Sequence, residues 1–330
     1  MHTSFRRCFT GGTAIVLATA VLACRTEAQQ ARTRVEIIGH RGAAGLAPEN
    51  TVAAFRRACE IRVDGIELDV HLTADSVLVV HHDYALHPDI ARDPSGAWVD
   101  PKQRPQLHQM TVAEIKRYDV GRLRPGSDYA KRHPDQQQID GERVPTLDEV
   151  ITLFLDRCPP PTRLVVEIKT DPTNPSFSAP PELVADRTMA LLTRRGVAMR
   201  AQIIAFDWRP LAQVVRIAPQ QSTSHLTFEG KDWNTIEVGK PGPSAWMGAV
   251  DVDDHGGSVP RAIRAARGRN WSPNTANVTR ESVSESHRLG QRVFVWTVNT
   301  RDDMQRFIDL GVDGITTDRP DILRALIDGR

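Results

Sequence analysis

Three carboxylates, two histidines and two cations fall at the ends of short apolar runs. His40-Arg41-Gly42 closes one run, Glu67-Leu68-Asp69 a second, His82-Asp83 a third and Glu167-Ile168-Lys169 a fourth. Side chains alternate faces along a strand, so Glu67 and Asp69 project together, as do Glu167 and Lys169. If those faces converge, three carboxylates meet, and burying them without partners is prohibitive. One hard divalent cation satisfies all three, and oxygen-only ligation selects Ca2+ or Mg2+ over zinc or copper. The Arg41 guanidinium is shaped to clamp two phosphate oxygens. Lys169 adds positive charge where equatorial oxygens gain negative charge. Two imidazoles that titrate near neutrality can serve as acid and base across one phosphorus. Together these groups imply metal-assisted cleavage of a phosphodiester, although each one alone reads more simply as a solvated or salt-bridged rim residue. His81 precedes His82, and alternation lets only one of them face such a site; the pattern leaves the choice open.

The positioning elements follow from hydrophobic pattern. Short β-branched runs separated by longer amphipathic stretches indicate repeated βα units around a parallel sheet. The runs are residues 35–39, 65–70, 77–81, 164–168, 202–206, 223–227, 269–272, 293–298 and 314–317. That is one more than an eight-stranded barrel needs. Only His71 to Ser76 separates the second run from the third, whereas a parallel crossover needs about a dozen residues or more. Those two runs must therefore pair as an antiparallel hairpin turning near Ala74-Asp75. The fold class is α/β: a (β/α)8 TIM barrel with a β-hairpin extension at strand 2. Between Asp83 and Thr146 the rhythm lapses into a polar stretch in which only Thr111 to Tyr118 looks helical, capped by Thr111 with Glu114. A loop of this length is usually functional and is expected over the C-terminal mouth of the barrel, where active sites lie.

At the N-terminus, Arg6 and Arg7 precede an apolar stretch from Ala14 to Ala23, and the chain turns polar at Arg25. That pattern is a secretory signal over residues 1–28, followed by one domain over 34–330. Val21-Leu22-Ala23-Cys24 resembles a lipoprotein box, and Thr26-Glu27-Ala28 an ordinary cleavage site, so the expected destination is periplasmic or extracellular, free or lipid-anchored. Removing residues 1–28 takes away three arginines and one glutamate, which moves the formal charge from +1 to −1. A near-neutral body points away from nucleic acid. Membrane contact is expected only through an anchor or a lysolipid substrate. Cys59 and Cys158 remain in the body, and separate buried thiols are expected there.

The ordered set resembles the glycerophosphodiester phosphodiesterase family. It consists of His40-Arg41-Gly42, Pro48-Glu49-Asn50-Thr51, Gly65 to Val70, His82-Asp83, Val166 to Lys169, Val295 to Asn299 and Gly311 to Pro320. The resemblance implies a barrel with an insertion after the His-Asp motif and a small-molecule glycerophosphodiester substrate. It implies that His82, not His81, is the catalytic partner of His40, with His40 as acid and His82 as base. It also implies one divalent cation on Glu67, Asp69 and Glu167, phosphate contacts from Arg41 and Lys169, and Trp296 lining the pocket. Pro48 to Thr51 reads structurally, as a helix cap from Asn50 or Thr51. The expected reaction is hydrolysis to sn-glycerol 3-phosphate and an alcohol. The alternatives are a lysophospholipase D and a non-catalytic phosphoester-binding barrel.

Overall fold

The computed structural model describes residues 34–330, so the expected signal segment 1–28 lies outside the described residues. Nine strands form: β1 (Glu36–Gly39), β2 (Gly65–Leu72), β3 (Leu78–Val80), β4 (Arg163–Ile168), β5 (Ala201–Ala205), β6 (Ser222–Thr227), β7 (Asn270–Pro273), β8 (Arg292–Val295) and β9 (Gly314–Thr317). Every strand but β3 lies parallel to its neighbours, and pairing of β1 with both β2 and β9 closes the ring of eight. β3 runs antiparallel to the end of β2, with Val70 opposite Val80 and Leu72 opposite Leu78. The connection is too short for anything but this hairpin. Its turn is tied by Thr73, whose hydroxyl accepts from Val77 N–H at 2.9 Å and donates to Asp75 Oδ1 at 2.6 Å.

Alternation sorts the strand residues into two cores. Ile38, Val165, Ile204, Leu226 and Phe294 fill the lumen. Ile37, Ile66, Leu68, Val166, Ile203, Val293 and Ile315 face outward, against the helices. Those helices include α1 (Val52–Ile61), α4 (Leu147–Arg157), α5 (Pro181–Arg194) and α6 (Trp208–Ile217), followed by α7 (Val259–Ala265), α8 (Arg280–Arg288), α9 (Arg301–Leu310) and α10 (Pro320–Ile327). Below the apolar lumen layer, at the N-terminal face, Glu36 pairs with Arg163 at 2.5 Å and with Arg292 at 2.7 Å.

The insertion is more ordered than its polar composition implies. α2 (Val112–Ile115) carries the expected capping box of Thr111 and Glu114 but is shorter than residues 111–118, and α3 (Asp128–Arg132) is an additional helix. Leu86, Ile90, Val99, Leu107, Ile115, Val120, Leu123 and Val144 gather into a small core of their own with Val79 of β3. These apolar residues are spaced too irregularly to show a period, and so they escape a search for amphipathic elements.

Cys59 and Cys158 form a disulfide with their Cα atoms 5.1 Å apart, which corrects the expectation of separate thiols. The cause is topological. Because β3 leaves the ring as a ribbon, β4 pairs directly with β2. α1 and α4 therefore become neighbours, and their C-terminal ends meet near the N-terminal face of the barrel.

Candidate functional site

The loop after β1 sets the first two groups. Gly39 and Gly42 are required there by close approach: a Cβ on Gly39 would stand 2.0 Å from Gly42 O, and one on Gly42 would stand 2.7 Å from the backbone of Ala54. Between them Arg41 adopts φ 49°, a left-handed conformation that costs a non-glycine residue energy. The Arg41 N–H donates to Glu67 Oε2 at 2.6 Å, which holds the loop in place. This tight turn carries His40 and Arg41 over the mouth.

Parallel pairing sets the carboxylates. Asp69 lies opposite Glu167 in the β2–β4 register, and Glu67 is two residues earlier on the same face. One oxygen from each of Glu67, Asp69 and Glu167 lies within 4.8 Å of the others, and all three residues are buried. Lys169 Nζ donates to Glu167 Oε1 at 2.8 Å and stands 3.4 Å from Asp69 Oδ1. Asp69 Oδ1 is buried without a hydrogen bond. Burial and then the Asp69 charge push the Glu67 carboxyl up to about 8. Burial also raises Glu167 in spite of Lys169. Asp69 is held well below the carboxylate range despite its burial, because Lys169, His82 and Arg41 surround it. Three buried carboxylates, one with an unpartnered oxygen and one driven toward its proton, form the donor set that a hard divalent cation fits.

Each histidine is backed by a carboxylate. His40 Nδ1 meets Asp318 Oδ1 at 2.6 Å, and Asn299 Nδ2 donates to Asp318 Oδ2 at 2.6 Å. His82 Nδ1 meets Asp83 Oδ1 at 2.8 Å, and Arg104 grips the other oxygen of Asp83. Both rings therefore spend Nδ1 on a carboxylate and keep Nε2 for the cleft. Burial lowers the His40 pKa, but Asp318 and then Glu67 carry it above the ordinary imidazole value. Burial, Arg41 and Lys169 push His82 down to about 4. The two rings are thus shifted in opposite directions, His40 toward its protonated form and His82 toward its neutral one. His82, not His81, lines the cleft; His81 is buried elsewhere with its Nε2 unpartnered. His71 stays structural, with Nε2 3.3 Å from the His82 carbonyl.

The eight residues singled out by sequence all assemble at the mouth. The cleft, of about 590 Å3 including its open mouth, is lined by His40, Arg41, Glu67, His82, Glu167 and Trp296 among others. Trp296 donates Nε1–H to Ser272 O at 2.8 Å and exposes part of its ring to the cleft. Four neighbours were missed. Arg41 Nη1 donates to Glu49 Oε1 and to Tyr129 Oη, each at 2.9 Å, and Tyr129 donates in turn to Glu49. Asn50 donates Nδ2–H to Asp69 Oδ2 at 2.8 Å. Thr51 does cap α1, accepting from Ala54 N–H at 3.3 Å, so the cap reading of Pro48 to Thr51 holds. It is incomplete, because Glu49 and Asn50 belong to the site. Asp318 had a usable signal: it continues the lumen face of β9 two residues beyond Thr316, at the mouth. Nothing in the spacing of Tyr129 marks it.

The sequence pattern of the glycerophosphoryl diester phosphodiesterase family matches residues 40–322. A glycerophosphodiester phosphodiesterase of Caldanaerobacter subterraneus subsp. tengcongensis is 31% identical over 291 residues, covering 88% of this chain and 97% of that one. A solved protein of Silicibacter pomeroyi DSS-3 is 34% identical with a TM-score of 0.78, covering 90% of this chain and 94% of the other. An Oleispira antarctica phosphodiesterase, solved with the product sn-glycerol-3-phosphate, shares the fold at 19% identity and a TM-score of 0.63, covering 89% and 97% of the two chains.

Proposed function

The chain belongs to the glycerophosphoryl diester phosphodiesterase family, and from that premise we propose that it hydrolyses glycerophosphodiesters to sn-glycerol 3-phosphate and an alcohol such as choline or ethanolamine. The observation that carries this reading is the pair of carboxylate-backed histidines flanking a buried carboxylate triad and two cations. The product bound to the Oleispira antarctica fold neighbour is of the same chemistry.

Arg41 and Lys169 bind the phosphate oxygens. Glu49 and Tyr129 hold the Arg41 guanidinium in one orientation, so little freedom is lost when substrate arrives. His82, neutral at physiological pH with its Nδ1–H given to Asp83, takes a proton at Nε2 from the attacking hydroxyl of water; where the substrate's own glycerol attacks first, water opens the cyclic phosphodiester in a second step through the same two rings. His40, whose protonated form Asp318 favours, gives the Nε2 proton to the departing alcohol. When Ca2+ or Mg2+ is held by Glu67, Asp69 and Glu167, it would supply Lewis acidity and offset phosphoryl charge. Backed imidazoles serve proton transfer, which a barrel that only captures phosphoesters does not need.

We also propose export. The Cys59–Cys158 disulfide supports it, since such bonds persist in oxidising compartments.

The test is an assay of purified protein on a panel of glycerophosphodiesters, with and without chelator, detecting glycerol 3-phosphate. Turnover that chelator abolishes and Ca2+ or Mg2+ restores is expected. Stoichiometric binding with no product would overturn the reading in favour of a binder.

A further inference from the structure

The mouth of the barrel has two unlike flanks that share His82. One sets the charged and hydrogen-bonding groups of Asp83, Arg104, Gln106 and Lys169 beside Ala85 and the Tyr84–Phe177 ring pair. The other passes from Arg41 and the catalytic groups to Leu226, Phe294, Phe206 and Trp296. Its rings continue outward. Phe206 meets Trp296 edge-on at 5.3 Å and Trp233 at 4.8 Å, and Trp233 stacks on Phe228 at 5.2 Å.

Trp233 is 37% exposed, an unusual placement for a large ring, yet it is held firmly. It sits in a small hairpin of the loop after β6, where Thr235 N–H donates to Phe228 O at 2.8 Å and Gly230 N–H to Trp233 O at 2.9 Å. Asn277 pins the hairpin from the next loop, accepting from Glu229 N–H at 3.0 Å and donating to Glu229 O at 2.9 Å. An exposed aromatic surface that is fixed from two loops and continuous with the catalytic cleft is a binding surface.

Two physical arguments decide what it binds. Pressing a glycerol diol against rings would strand its hydroxyls, so the glycerol moiety belongs beside the hydrogen-bonding groups of Asp83, Arg104 and Gln106. A zwitterionic substrate must keep its ammonium away from Arg41 and Lys169, which hold the phosphate. On the aromatic flank Arg163 and Arg292 already lie over Phe294, whereas the rings of Phe206, Trp296 and Trp233 pack against one another and offer π faces that attract a quaternary ammonium. Resting on the diesterase reading above, we propose that Phe206, Trp296 and Trp233 form a leaving-group subsite that selects a trimethylammonium alcohol over a polyol.

The experiment compares kcat/KM for glycerophosphocholine, glycerophosphoglycerol and the neutral 3,3-dimethylbutyl ester of glycerol 3-phosphate. Wild type, Phe206→Leu, Trp233→Leu and Trp233→Phe are the variants. The wild type is expected to favour the choline ester over its neutral isostere about tenfold. Both leucine variants should lose most of that preference and Trp233→Phe should keep it, with circular dichroism spectra and thermal unfolding like the wild type's showing that the variants fold. Equal use of the choline ester and its isostere, or an equal loss on every substrate, overturns the subsite. Faster turnover of lysophosphatidylcholine than of glycerophosphocholine, lost in the same variants, would overturn it in favour of an acyl track. If no diester is cleaved at all, the diesterase reading itself has failed, a result distinct from cleavage without preference.

Discussion

The two ends of this barrel handle inward-facing charge in opposite ways. At the N-terminal face, Glu36 and Asp313 meet Arg163 and Arg292, two carboxylates against two guanidiniums. Both guanidiniums also lie over the Phe294 ring, at 5.4 and 4.9 Å. At the C-terminal face, the carboxyls of Glu49, Glu67, Asp69 and Glu167 outnumber the Arg41 and Lys169 cations that pair with them, and burial answers the surplus by driving Glu67 toward its proton. The balanced end, which also carries the Cys59–Cys158 bond, stabilises the fold. The unbalanced end is costly to fold and has the donor set for one divalent cation. A barrel whose strands all point the same way can separate stability from chemistry in this manner.

The largest effects should come from the unbalanced end. Removing either imidazole, by His40→Ala or His82→Ala, should cut kcat by roughly a hundredfold or more with glycerophosphocholine as substrate; a parent-like rate in both variants would dismantle the acid and base assignment. Substitutions at the balanced end should leave kcat/KM unchanged. Cys59→Ser should cost about 2–4 kcal/mol in denaturant unfolding, since the bond closes a separation of 99 residues. Glu36→Gln leaves two half-buried guanidiniums with one fewer partner, and a loss of about 1–2 kcal/mol is expected after discounting for solvent screening. Should Glu36→Gln cost activity rather than stability, the division of labour is wrong.

A finer contrast lies in pH. His40 must be protonated, and its pKa stands above the usual 6.5 because Asp318 faces it. Activity should therefore persist above that value and fall as pH rises through the raised one. His82 must be neutral, so the acid limb should lie near pH 4. Asp318→Asn removes the group that raises His40, and the alkaline limb should move to lower pH. A pH profile that keeps its alkaline limb in this variant would separate Asp318 from the acid.

The parts legible in sequence were those set by local rules. Period-two alternation gave the strands and the faces of Glu67, Asp69, Glu167 and Lys169, and the short His71–Ser76 link dictated the hairpin. What escaped was decided by tertiary neighbours. Glu49 and Asn50 looked like mere flanks of a helix cap until the β1 loop folded Arg41 back onto them. Tyr129 reaches Arg41 across 88 residues of separation. The cysteines pair only because a ribbon leaves the ring and lets α1 touch α4. Asp318 follows the alternation that placed the other acids but lies one residue past the last apolar run, 314–317.

The central claim is that the surplus of carboxyls at the C-terminal face is a cation site, and calorimetric titration of Ca2+ and Mg2+ into the purified protein tests it most directly. One ion per chain is predicted, lost in Glu67→Gln and in Asp69→Asn and retained in Glu36→Gln. Binding that survives the first two substitutions, or no binding to the parent protein, would contradict it.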